Sequence, residues 1–139
     1  MEEVKKNTVQ QGEKAEVIFQ HICLVKHNYM VSKPIGTTDY DLVVEVGKKL
    51  LKVQVKSTGN QNGSIRVCKG RYSANSKKVP YPKDLDFFAC YFRHTNEWFI
   101  IPRNVTEDQV NLRVDQKRGN AKYYRYKDNW KFNSSDLTL

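Results

Sequence analysis

In the stretch "TTDYDLVVEVGKKLLKVQVKST", Thr37 to Thr58, an aspartate precedes one alternating apolar run, and a glutamine and a lysine stand two apart in the next. Asp41, Gln54 and Lys56 are an acid, an amide oxygen and an ammonium, a set able to hold a hard cation beside a phosphoryl group. Mg²⁺ prefers oxygen ligands, keeps several waters and takes only one or two carboxylates from a protein. Asp41, the Gln54 side-chain oxygen and the Val55 main-chain carbonyl could supply them, with Mn²⁺ able to substitute. Lys56 would then orient an attacking water or offset charge on the phosphoryl group, while the cation lowers the water's pKa.

That chemistry requires the two runs to pair in a particular register. If Gly47 and Lys48 are the loop of a two-residue hairpin, Gly47 takes the position where a type II′ turn demands positive φ, and Val46 pairs with Lys49. Leu42 then faces Val53 and Val44 faces Leu51, collecting the apolar side chains on one face of the ribbon. Asp41 falls across from Gln54, and Asp39 opposite Lys56. A slip by one residue would mix the apolar set with the polar one, so burial selects this register.

The elements that must carry this hairpin are legible around it. From Thr8 to Lys26 the residues Ala15, Ile18, Phe19, Ile22 and Val25 recur at helical spacing, predicting an amphipathic helix with Thr8 as N-cap. Tyr29–Lys33 reads as a short strand stopped by Pro34. Further strands are predicted over Tyr40–Val46, Leu50–Ser57, Ser64–Cys68, Asp86–Phe92 and Glu97–Ile101. A helix followed mostly by strands is α+β or α/β around a mixed sheet, and 139 residues make one domain.

Charge points to the partner. The formal net charge of +9 and a pI near 9.5 suit an anionic macromolecule, DNA or equally RNA. "KGRYSANSKKVPYPK", Lys69 to Lys83, carries five basic residues and no acid and reads as a long basic loop. Arg66, Lys69, Arg71, Lys77 and Lys78 are either solubility charges or phosphate contacts, and the absence of neighbouring acids favours the second. From Arg113 to Lys131 seven basic and two acidic residues interleave with Tyr123, Tyr124, Tyr126 and Trp130. This segment suits a phosphate backbone and exposed bases, or equally a solvated surface with aromatics packed beneath it.

Other residue types exclude more than they suggest. Cys23, Cys68 and Cys90 lack the paired spacing of zinc sites or disulfide frameworks, which points to a reducing compartment, cytoplasmic or organellar. His21, His27 and His94 have no ligand or triad spacing. No apolar run reaches the roughly 18 residues of a membrane span, and the polar start "MEEVKKNTVQQGEKAE" is unlike a signal peptide, so no membrane or secretory role is expected.

With these residues on the page, "YDLVV" and "VQVKS" resemble the core of the PD-(D/E)XK nuclease superfamily, in which an acid on one strand and an acid-x-lysine on the next bind Mg²⁺ and hydrolyse phosphodiesters. "GEKAE" is similar to the first-helix motif of its Holliday-junction resolvases and intron-encoded members. "YPKDLDFFACYF" with "EWFIIP" is similar to later strands of its group I intron homing endonucleases. The resemblance implies a restriction-endonuclease-like mixed sheet with an N-terminal helix and extra C-terminal strands. By position it matches Glu16 to the helix glutamate, Asp41 to the first acid, Gln54 to the variable second acid and Lys56 to the lysine. Tyr40 stands where the motif has proline. Glutamine in place of an acid weakens attraction for a divalent ion, so Glu16 or the DNA phosphate must make up the charge. Apart from the resemblance, Glu16 reads equally as part of a solvated helix face and Asp39 as a turn residue.

Three functions follow: a sequence-specific homing endonuclease, a structure-specific junction resolvase, and a catalytically silent nucleic-acid-binding module. Survival of Asp41 and Lys56 beside Glu16 argues against the third. A ribbon at Ser64–Cys68 presenting Arg66 to guanine edges favours the first. One site per chain and two strands to cut predict a homodimer or homotetramer on double-stranded DNA.

Overall fold

The computed structural model describes residues 2–69, 79–114 and 122–134, with side chains from Val9 onward. A long helix, α1 (Glu2–His21), opens the chain and closes in a wider π turn over Ile22–Lys26. The helix therefore starts ahead of Thr8, which lies within it rather than at its cap. Among the described residues nine strands follow: β1 (Met30–Ser32), β2 (Leu42–Val46), β3 (Lys49–Thr58), β4 (Ser64–Arg66), β5 (Cys68–Lys69), β6 (Val79–Pro80), β7 (Phe87–Phe92), β8 (Glu97–Pro102) and β9 (Asn111–Arg113). Five of them form one sheet in the order β1-β2-β3-β7-β8. The β3–β7 pair is parallel and its neighbours are antiparallel, so the sheet is mixed as expected.

The hairpin has the predicted register: Leu42 pairs with Val53, Val44 with Leu51 and Val46 with Lys49. Gly47 has φ +62°, as the first central position of a type II′ turn requires. A Cβ there would have open space, so glycine is needed for its backbone and not for room.

Both faces of the sheet are covered, which is why β7, "FFACYF", is apolar at successive positions instead of alternating. On one face Leu42, Val44, Val53, Val55, Ala89 and Ile100 meet Ala15 and Phe19 of α1. Each large apolar side chain removed from water there contributes about 1.5–3 kcal/mol. On the other face Phe88, Cys90, Phe99 and Ile101 meet Ile65, Leu112 and Tyr126. The predicted strand Ser64–Cys68 is divided: β4 pairs with β9, while β5 pairs with β6 and ties together the two ends of the basic stretch.

The C-terminal aromatics belong to these cores. Tyr123 and Tyr126 are buried, Trp130 packs on Phe19, Trp98 and His27, and Tyr29 Oη donates to the Trp130 carbonyl at 2.7 Å. Of the two readings of this segment, aromatics packed beneath a charged surface is the one observed for Tyr123 and Tyr126, whose buried rings are not available for stacking on bases. No helix of the described residues is long and apolar enough to cross a membrane.

Candidate active site

The polar side of β3 does not act as a unit. Lys52 reaches outward to Asp84 at 3.1 Å, and its backbone N–H donates to Asp86 Oδ2 at 2.7 Å. Gln54 and Lys56, further along, are half-buried, and Lys56 turns to Tyr81 instead. The sheet side of the site is therefore the stretch just past the start of β2, where the partner strand has run out.

Asp41 takes over the pairing at that point. Its backbone N–H donates to the Val53 carbonyl at 2.9 Å, continuing the ladder, and its carboxylate Oδ2 accepts the Val55 N–H at 3.0 Å. Alternate residues of a strand direct their amides toward the same neighbour. The Val55 carbonyl accordingly faces the side where Asp41 stands and β2 supplies no further backbone. Burial pushes the Asp41 carboxyl up from the ordinary aspartate range, the Val55 N–H bond draws it back, the Glu16 charge pushes it up, and Lys56 and Lys33 pull it down. Asp41 thus feels Glu16, Lys56 and Lys33 together.

Glu16 enters from α1. Lys33 Nζ lies 2.9 Å from its Oε1, an ion pair that also holds the Lys33 ammonium above the usual lysine range. This carboxylate oxygen is shut off from solvent, and among the described residues the Lys33 ammonium is its partner. A buried carboxylate oxygen with a single partner keeps acceptor capacity for another. With Asp41 it supplies carboxylate oxygens to which the Gln54 amide oxygen and the Val55 carbonyl could add, and oxygen donors suit a hard divalent cation rather than a thiolate- or imidazole-bound metal. Among the described residues no three His, Cys, Asp or Glu side chains come together, so any cation here has at most the pair Glu16 and Asp41 as carboxylate ligands.

Lys56 stands at the far side of Asp41. Burial pushes its ammonium down from the ordinary lysine range, with Asp41 opposing that shift. Its Nζ donates to Tyr81 Oη at 2.6 Å and lies 4.7 Å from the ring centre. Asp39 is not its partner: the chain before Asp41 is not a strand, so strand alternation does not govern it, and Asp39 pairs with Lys69 at 2.6 Å.

Of the basic residues singled out for nucleic acid, Arg66 projects outward from β4 while Ile65 beside it is buried, and its Nε donates to Cys68 Sγ at 3.2 Å. Lys69 has part of its charge spent on Asp39. Arg71, Lys77 and Lys78 lie outside the described residues. Three residues of the site neighbourhood carried no sequence signal: Lys33, Tyr81, and Arg103, whose guanidinium donates to the Tyr81 carbonyl. They come from loops and strand ends whose pairing no local pattern announces.

Residues 6–133 match the family described as PD-(D/E)XK endonuclease. The fold is similar to that of a bacterial homing endonuclease of known structure, I-Ssp6803I: 26% identity, covering 88% of this chain and 90% of that one, with a TM-score of 0.76. No curated protein matches the chain by sequence. The five-stranded mixed sheet with its N-terminal helix is accordingly a restriction-endonuclease-like fold.

Proposed function

The chain belongs to the PD-(D/E)XK endonuclease family, and we propose that it is a sequence-specific, metal-dependent DNA endonuclease of the homing type. The observation that carries this reading is the Asp41 carboxylate, fixed by the Val55 N–H, in the electrostatic reach of both Glu16 and Lys56. Glu16, Asp41, Gln54 and the Val55 carbonyl would hold Mg²⁺, with Mn²⁺ as a substitute. When bound, the cation supplies positive charge to a phosphoryl oxygen and acidifies a water. Asp41 and Glu16 fix where positive charge can settle, and the neutral Gln54 limits the negative charge that an approaching phosphodiester must face. Lys56, half-buried and therefore poorly screened, places its ammonium where charge grows on the scissile phosphate.

Double-stranded DNA is the proposed substrate. The two-stranded β4–β9 ribbon, with Arg66 outward over a buried Ile65, supports base readout in a groove and favours homing over junction resolution. Lys69, Arg71, Lys77 and Lys78 are proposed to contact phosphates, Lys69 by exchanging Asp39 for one. One such site per chain calls for a homodimer or homotetramer to cut both strands. Exposed Val17, Leu24, Val25 and Met30 on α1, the π turn and the edge strand β1 offer apolar surface for it.

The test is cleavage of a randomised linear DNA library and of a four-way junction, each in Mg²⁺ and in EDTA. Recovery of a cut consensus sequence in Mg²⁺ alone is expected. Junction cutting without sequence preference would replace homing by resolution, and equal cutting in EDTA would remove the metal site.

A further inference from the structure

Building on that reading of the site, we propose that Tyr81 is the positioning residue for Lys56, and that the buried Arg103 exists to hold Tyr81 there. A lysine is a point charge on a flexible stem with three donors, and by itself it does not define a position. The Lys56 ammonium is given one by the Tyr81 hydroxyl at 2.6 Å. The Tyr81 ring is wedged edge-on against Phe88, with centroids 5.5 Å apart, so the hydroxyl it presents is fixed by packing. Its backbone is fixed separately. Arg103, 5% exposed, donates to the Tyr81 carbonyl through Nε at 3.1 Å and Nη2 at 2.7 Å. The same guanidinium is ion-paired to Asp108 and reaches Thr106 Oγ1 at 3.3 Å. The Arg103 N–H donates to the Asp86 carbonyl at 2.9 Å, which ties the clamp to the residue before β7 and hence to the strand beside β3.

Phenylalanine at this position would fill the same space, so packing does not explain the hydroxyl. Burial raises the phenol to about 12, and it therefore keeps its proton at neutral pH while accepting from Lys56. Burying a guanidinium is costly unless its hydrogen bonds are well made. Here they are spent on the carbonyl of the residue that touches the lysine. The line Asp108–Arg103–Tyr81–Lys56 thus runs from the surface to the site without any member but Lys56 facing the scissile phosphate.

Tyr81→Phe tests this in the full chain. The expected result is an unchanged amide NMR spectrum and unchanged DNA affinity, with the single-turnover rate on the library-selected target lowered about 10- to 100-fold, the loss of one hydrogen bond to a charged group. On a Lys56→Met background, with enzyme in excess, the same change should cost nothing further. Asp108→Asn, remote from the site, should lower the rate by a smaller factor at unchanged affinity, and that loss should also vanish on the Lys56→Met background. A readout independent of cutting is the Lys56 ammonium ¹H–¹⁵N resonance, expected to be resolved in the wild type and lost to solvent exchange in Tyr81→Phe. Wild-type cutting by Tyr81→Phe, or an undiminished loss on the Lys56→Met background, would overturn the inference while leaving the nuclease reading in place. Full cutting by Lys56→Met alone would overturn that reading, and the positioning role with it.

Discussion

The two sides of β3 face the same sheet neighbours and are built to opposite rules. On the α1 side Val53 and Val55 sit among Phe19, Leu42 and Val44, all buried and all apolar. On the other side Gln54 and Lys56, half-buried, interrupt a second core that would otherwise continue through Phe88, Cys90 and Ile101. Apolar burial stabilises the first side without needing any other feature. The second side holds the Lys56 ammonium at the margin of a core, where its charge costs free energy unless paired. The difference separates what holds the hairpin from what the hairpin is for, and each side can be broken without the other.

The largest expected effects are on the polar side and on activity. Asp41→Asn preserves shape and removes the central negative charge, so cleavage of the selected target should fall by at least about 100-fold, with DNA affinity retained or increased. In the wild type, millimolar Mg²⁺ or Mn²⁺ should raise the melting temperature by binding the folded state, and Asp41→Asn should lose that rise. A wild-type response to the cation in Asp41→Asn would show that the ion binds elsewhere.

The next effect breaks the apolar side. Phe19 is fully buried and its ring meets Trp98, Trp130 and Phe132 at 5.7, 5.7 and 6.4 Å. Phe19→Ala should therefore cost about 3–5 kcal/mol and lower the melting temperature by more than about 10 °C, as read by calorimetry. Lys56→Met is its counterpart. A lysine whose folded-state pKa is depressed pays for its charge below that pKa, and the cost is relieved as pH rises through it. Burial depresses Lys56 in this way, so at neutral pH Lys56→Met should leave the protein at least as stable as the wild type while cutting falls to a residual rate measurable with enzyme in excess. A melting temperature lowered as far as in Phe19→Ala would mean that Lys56 belongs to the scaffold.

The same contrast explains what was legible from sequence. The hairpin could be read because Gly47 dictates the turn and the alternation of Leu42, Val44, Leu51 and Val53 admits one register. The nearness of Asp41 to Lys56 followed from that register. Asp39 was misplaced because alternation constrains only paired residues, and the chain before Asp41 is unpaired to the sheet. Lys33 and Tyr81 could not be found, since each reaches the site through tertiary packing: Lys33 past the end of β1, Tyr81 after the β5–β6 bridge. Tyr123 and Tyr126 fitted a nucleic-acid surface and a core equally, and burial decides for the core because their neighbours are distant in sequence.

The smallest effect lies on the outer edge of the sheet, where the C-terminal segment is fastened to β8. Lys127 Nζ is 2.8 Å from Glu97 Oε2, and a backbone bridge joins Lys127 to Phe99. The Lys127 side-chain hydrogen bond is the largest influence on Glu97, holding its carboxyl below the ordinary glutamate range, with a bond from Thr95 acting the same way. A depressed carboxyl contributes stability that is full above its unfolded value, about 4.3, and is lost as pH falls through the lower folded value. Glu97→Gln removes this dependence and nothing in either core. The stability difference between wild type and Glu97→Gln, followed by urea denaturation, should be constant from neutral pH down to about pH 5 and shrink below it. Because the pair is open to solvent, the difference should also shrink in high salt. No difference at neutral pH would mean that the bridge at Phe99, not the charge pair, fastens the segment, and that the edge obeys the rule of the apolar side.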